Sequence, residues 1–145
     1  MVESYFALES AIVNRIQECV PELQAIYTPF NIEEMMKITN VSPSVSVIYF
    51  DDRIGDSAGT GKVVSTYQQW LVVLSLRHAA AQLQNTNVLR QQASPLILNI
   101  LDAMQGFDPK IQGYKPFKRI NSPVRQGGQA GHCYFPFMFE SQIFV

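Results

Sequence analysis

The stretch from Asp51 to Lys62 comes nearest to a chemical motif in this sequence. It reads DDRIGDSAGTGK and follows a strand-like segment. A loop that cradles a phosphate has the form G-x-x-x-x-G-K-[ST] and opens a helix whose N-terminus faces the anion. Counting back from Gly61, the first glycine position holds Asp56, whose charge would repel a phosphate. The Mg²⁺-binding hydroxyl position holds Val63. The residues that follow, STYQQW, read as strand and supply no helix N-terminus. The spacing predicts a polar, glycine-bearing loop over 51–62 and no nucleotide site.

The other reactive residue types are sparse. His78 and His132 are the only histidines, and neither has ligands at the short spacing a zinc site requires. His132 adjoins Cys133, but neighbouring strand residues face opposite ways. Asp51 and Asp52 form an acidic pair at a strand-to-loop junction, where such pairs are usually solvated turn residues. No GxSxG elbow occurs, and the serine of GDSAG lacks a strand-turn-helix setting. The expectation is a protein without catalytic residues, metal or cofactor.

Composition points to association instead. The chain has 145 residues, enough for one domain that buries roughly 68–70% of its unfolded surface. Hydrophobic residues make up 47% and charged residues 16%, against a usual charged share of about 25%. So few charges leave apolar surface to be covered by another protein or to line a shallow cleft. The net charge of −1 excludes a broad nucleic-acid footprint. Lys110, Lys115, Lys118, Arg119 and Arg125 form one modest basic cluster in a Pro/Gly-rich stretch. Cys19 and Cys133 belong to no CxxC pair; two buried thiols in a reduced setting are the default, with a single disulfide left open by the sequence. The N-terminus lacks the pattern of a signal peptide. No apolar run approaches the ~20 residues of a membrane span.

The elements follow from periodicity and capping. Residues 3–20 read as a helix from the spacing of Phe6, Val13, Ile16 and Val20, ended by Pro21. Residues 31–39 read as a short helix capped by Asn31, with Glu33 and Glu34 at its positive end. Residues 44–50 read as a strand with Val45, Val47 and Tyr49 on one face. Val63 to Arg77 reads as a long strand, apolar on both faces at its centre. Residues 78–92 are polar and Ala-rich. Ser94 and Pro95 predict a helix start, and Gly106 its end, around the stripe Leu96, Ile97, Ile100, Leu101 and Met104. A strand is expected near Tyr114 to Ile120. The tail forms a last strand with Phe135, Phe137 and Phe139 on one face, and Pro136 places it at an edge or bulge. The fold class expected is α+β: a mostly antiparallel sheet of about four strands, two main helices on one face, and a second face left for a partner.

These segments, in this order, resemble the tail terminator (tail completion) proteins of Mu-like and related long-tailed phages and prophages. The resemblance runs through CVPEL at the end of the first helix, VSPSVSVIYF, the glycine loop, QQWLVVLSLR, SPLILNILDAMQGF, GYKPFKRI and the Tyr/Phe-rich tail. It spans about residues 5–143 and is a pattern of elements with no catalytic signature. It implies one tail-terminator-like domain over 1–145, acting as a hexameric ring on the head-proximal end of the tail tube. Its partners would be its own copies, the tail tube protein and head-completion or connector proteins. DNA would only pass through the lumen, and no membrane would be involved. The protein would be assembled in the bacterial host cytoplasm and end in the virion tail.

Within that picture the residues suggest contact elements. Asp51, Asp52, Arg53, Asp56 and Lys62 are candidates for docking onto the tube or lining the lumen. The 78–92 segment and the last strand, through Phe135, Phe137 and Phe139, are candidates for subunit contacts. Two other readings stand beside this one: another tube or baseplate component, or a small-molecule-binding or hydrolytic domain using an open sheet face.

Overall fold

The computed structural model describes residues 2–38, 41–77, 87–129 and 132–145. The first helix, α1 (Ala7–Cys19), forms where Leu8, Ile12 and Ile16 recur on one side, and all three are fully buried. The buried stripe therefore differs from the one expected: Ile16 and Val20 belong to it, but Phe6 is exposed. A three-residue strand, β1 (Ala25–Tyr27), comes next and was not anticipated, being too short for any periodicity to register. The second helix, α2 (Ile32–Ile38), begins as its sequence predicts. Asn31 Oδ1 accepts the N–H of Glu34 at 2.9 Å, satisfying one of the free donors of the first turn.

The hairpin that follows is the largest departure from expectation. β2 (Ser44–Ala58) continues through most of the stretch read as a loop, and the turn is confined to residues 59–62. The polar residues 51–58 are held by pairing, not burial. Asp51 to Ile54 face Gln69 to Thr66 of β3 (Val63–Arg77), beyond a register shift at Tyr49/Asp51. Gly59 and Gly61 lie at φ +57° and +82°, the left-handed conformations that a tight reversal needs.

The third helix also starts earlier than expected. α3 (Asn87–Met104) carries Pro95 in its interior, not at its first turn. The extra turns bury Leu89 and Ala93 against the core, which offsets the backbone bond that the proline cannot make. Gly106, at φ +74°, closes the helix as anticipated, and its N–H donates to Phe117 O at 3.0 Å.

Three more strands complete the sheet: β4 (Lys118–Ile120), β5 (Gly127–Gln129) and β6 (His132–Phe144). The fold is α+β as expected, but the sheet has six strands and is mixed. Its order is β1-β2-β3-β6-β4, with β5 also on β6 and β1 parallel to β2. β6 is not an edge strand. β3 pairs along its whole length on one side, while β4 and β5 share the other. β4 reaches Met138 and β5 reaches Tyr134, so Pro136 falls in the gap between them, where a missing N–H leaves no ladder bond unmade.

Both faces of the sheet are covered at the centre. On one, α1 and α3 pack over Trp70, Val72, Leu74 and Phe139. On the other, Met35 of α2 sits on Ile48, Leu71, Val73 and Met138, flanked by Ile120 and Val124. The second face was expected to be open; one short helix and the 120–124 segment close its middle.

Candidate functional site

The predicted contact residues are put to different uses. Arg53 Nη2 donates to Glu140 Oε1 at 2.9 Å, and its guanidinium lies 4.0 Å from the centre of the Tyr67 ring. Asp52 Oδ2 accepts the Tyr5 hydroxyl at 2.8 Å, and Asp51 Oδ1 accepts the Asp52 N–H at 2.8 Å. Arg53 and Asp52 therefore brace the fold. Asp51, Asp56 and Lys62 keep exposed side chains. The loop does not lead into a helix: it turns straight into β3, so no helix N-terminus stands behind the Gly-Lys pair.

Phe135, Phe137 and Phe139 of β6 share the helix-covered face, as their alternation predicts. Phe139 is fully buried in the chain's own core and offers no surface to a neighbour. Phe135 and Phe137 are partly buried, and Arg119 lies over the Phe137 ring at 5.3 Å. Of the 78–92 segment, residues 78–86, with His78, lie outside the described residues, and 87–92 open α3.

The groups that could react are muted. Burial lowers the pKa of His132, helped by the nearby Arg77 charge. Burial likewise raises the pKa of the Cys133 thiol, which disfavours the nucleophilic thiolate. Cys19 and Cys133 are both free. Burial, then the Tyr5 hydroxyl and the Asp52 charge, push the Tyr49 phenol far up, so it stays protonated. Among the described residues no group of three His, Cys, Asp or Glu could hold a metal ion, and no helix is long and apolar enough to cross a membrane.

A large concavity among the described residues lies elsewhere, along the edge of β2. It is a groove of about 770 Å³ bounded by Phe6, by Glu9 of α1, by the Thr28–Glu34 segment, and by Ile48 to Phe50. Phe30 is 81% exposed, Phe6 54% and Phe50 41%. Sequence reasoning missed this cluster because the three residues are far apart in the chain. One signal was available. Phe30 directly precedes the cap of α2, where an apolar residue ordinarily packs back onto its own helix, yet this one points to solvent.

The described residues form a scaffold with exposed aromatic and charged edges, and among them no group of three His, Cys, Asp or Glu converges. Comparison with known proteins agrees. The family model described as "Phage tail terminator protein" matches residues 1–145. The chain belongs to the phage tail terminator family. Its place is accordingly the virion tail, among other tail proteins, and its role is structural and not enzymatic. A comparison of this tail terminator with curated protein sequences finds no match. Among solved structures it is similar to a chain of the "Virion of native gene transfer agent (GTA) particle". The two share 13% identity at a TM-score of 0.60, over 98% of this chain and 100% of that one, which is a likeness of fold.

Proposed function

We propose that this tail terminator acts as one domain that closes the head-proximal end of the tail tube. It does so as a ring of its own copies, six in number, that ends tube polymerisation and forms the tail side of the head–tail joint. The observation that carries the reading is the family match along the whole chain. The surface is compatible with it. A ring of identical subunits needs two different patches per copy, and contacts of standard size take about 800 Å² from each partner. Exposed Phe6, Phe30, Ile54, Phe144 and Val145 are apolar groups that such contacts would remove from water.

In this reading the tip of the β2–β3 hairpin, with exposed Asp56 and Lys62, meets the tube or lines the lumen through which DNA passes. Phe135 and Phe137 are offered to subunit contacts, and head-completion proteins meet the opposite side of the ring. Assembly takes place in the bacterial host cytoplasm. Light scattering on the purified protein, alone and with its tail tube protein, tests the proposal. A hexamer, or a monomer that forms rings on short tubes and limits their length, is the expected result. A protein that leaves tube length unchanged overturns it.

A further inference from the structure

We infer that successive copies of this chain join head to tail through the two free edges of the sheet. The basic β4 edge of one copy seats in the acidic, aromatic groove along β2 of the next. The inference adds a specific contact to the ring reading and rests on it only for the number of copies.

The backbone makes the first case. β1 pairs only Ser44 to Ser46 of β2, and among the described residues no strand pairs the outer edge of β2 beyond them. β4 ends the sheet on the other side, and among the described residues no strand pairs its outer edge. An unpaired edge is a template for a strand of another chain unless it is blunted. The β2 groove keeps Phe6, Phe30 and Phe50 exposed around it, beside the register shift at Tyr49/Asp51, and these rings are apolar surface that a second strand would cover.

The shape makes the second. Phe6 and Glu9 reach the groove from the helix-covered face of the sheet, and Ile48 and Leu71 from the face beneath α2. A depression lined from both faces frames the edge itself, so its natural occupant is an extended segment alongside β2.

Charge selects the occupant. Glu9, Glu33 and Glu34 line the groove, and Asp51 follows Phe50. On the opposite edge Lys115, Lys118 and Arg119 are exposed. The one ion pair among the described residues is Arg53–Glu140, so neither set of charge has an ion-pair partner among them, although Arg119 lies over the Phe137 ring and donates to Gln105 Oε1 at 3.5 Å. Two complementary patches on opposite edges of one subunit make a heterologous contact, the kind that closes into rings or runs on as filaments.

Cross-linking tests this directly. Two single-cysteine proteins, Phe50→Cys and Arg119→Cys, are made in a Cys19→Ser/Cys133→Ser background, mixed and oxidised. The expected product is a mixed disulfide dimer, with a ladder of multimers when both substitutions sit in one chain. Leu98→Cys, on an exposed face of α3, should give no such product with Arg119→Cys. Glu33→Lys/Glu34→Lys in the Phe50→Cys protein should cut the mixed yield about tenfold, and Lys118→Glu in the Arg119→Cys partner should restore it. A yield no higher than the Leu98 control both in the free protein and in the presence of tube protein, or Phe50→Cys dimers alone, each overturns the inference. So does a Phe50→Cys protein that cross-links only to added tube protein. Tube length is read separately. Cross-linked multimers that leave tubes uncapped keep the edge contact and remove the capping role, and capping without the mixed disulfide does the reverse.

Discussion

Arg53 and Glu140 meet at 2.9 Å from strands that are not neighbours, with the guanidinium passing over the ring of Tyr67 on the strand between. The pair ties β2 to β6 across β3. Glu140 is buried, and its second carboxylate oxygen has no partner, while Arg53 is half exposed. The hydrogen bond to Glu140 raises the pKa of an arginine that is already permanently charged. Arg53→Ala should lower the thermal midpoint, because it strands a buried carboxylate without a counter-charge. Glu140→Gln should lower it less, and adding Glu140→Gln to Arg53→Ala should recover part of the loss. Thermal melts of the four proteins in a double-mutant cycle check this; strictly additive effects would show that the pair is not coupled.

Trp70 is the hub of the larger core. Fully buried at the centre of β3, it packs edge-on to Tyr49 at 5.2 Å, and its Nε1–H donates to Gln68 Oε1 at 3.3 Å. Gln68 Nε2 in turn donates to Tyr5 O at 2.6 Å, linking the core to the segment just before α1. Trp70→Ala removes the ring and orphans one side of that chain, at a cost of about 3–5 kcal/mol. Denaturant titration followed by circular dichroism measures it. A loss below about 1 kcal/mol would mean that the site collapses to fill the space.

What the sequence disclosed and what it hid divide along one physical line. Elements whose burial follows a period were legible: β3 to its boundaries, the alternation Val45, Val47, Tyr49, the Asn31 cap and the Gly106 stop. Elements held by long-range pairing were not. Residues 51–58 are polar and glycine-bearing, so nothing local marks them as strand, and only Val63 to Gln69 across the hairpin make them one. β1 exists because β2 lies beside it. The same limit applies to the candidate site. Arg53 looked like a loop charge because its partner lies 87 positions away. The exposed phenylalanines of the groove converge from three separate segments.

His132 gives the fold a pH dependence whose sign can be worked out. It stands opposite Arg77 in the β3–β6 register, and its Nε2 is buried without a partner. Burial and the Arg77 charge both disfavour the imidazolium, so the pKa in the folded chain lies below the ordinary histidine value of about 6.5. Between the folded and unfolded pKa values the unfolded chain binds more protons, so stability rises with pH there. The full contribution is present above the unfolded pKa, near neutrality, and is lost as pH falls toward the folded value. Urea midpoints from pH 7.5 to 5 should therefore decline for the native protein and decline less for His132→Gln. Parallel curves would assign the acid sensitivity to other groups.

Pro95 offers a test of where α3 begins. If the helix started at Ser94 and Pro95, the proline would sit where its missing N–H is not needed and its fixed φ helps, and replacing it would be neutral or harmful. In the structure Pro95 lies in the middle of Asn87–Met104 with an exposed ring, where it forgoes one backbone bond and crowds the preceding turn. An interior proline is about 3 kcal/mol less favourable than alanine, reduced by roughly 0.4–1 kcal/mol because proline also restricts the unfolded chain. Pro95→Ala should therefore stabilise the protein by about 1–2 kcal/mol once local relaxation around the proline is allowed for. Chemical denaturation gives the sign directly. A destabilised variant would restore the helix start to Pro95 and remove Leu89 and Ala93 from the helical face that packs on the core.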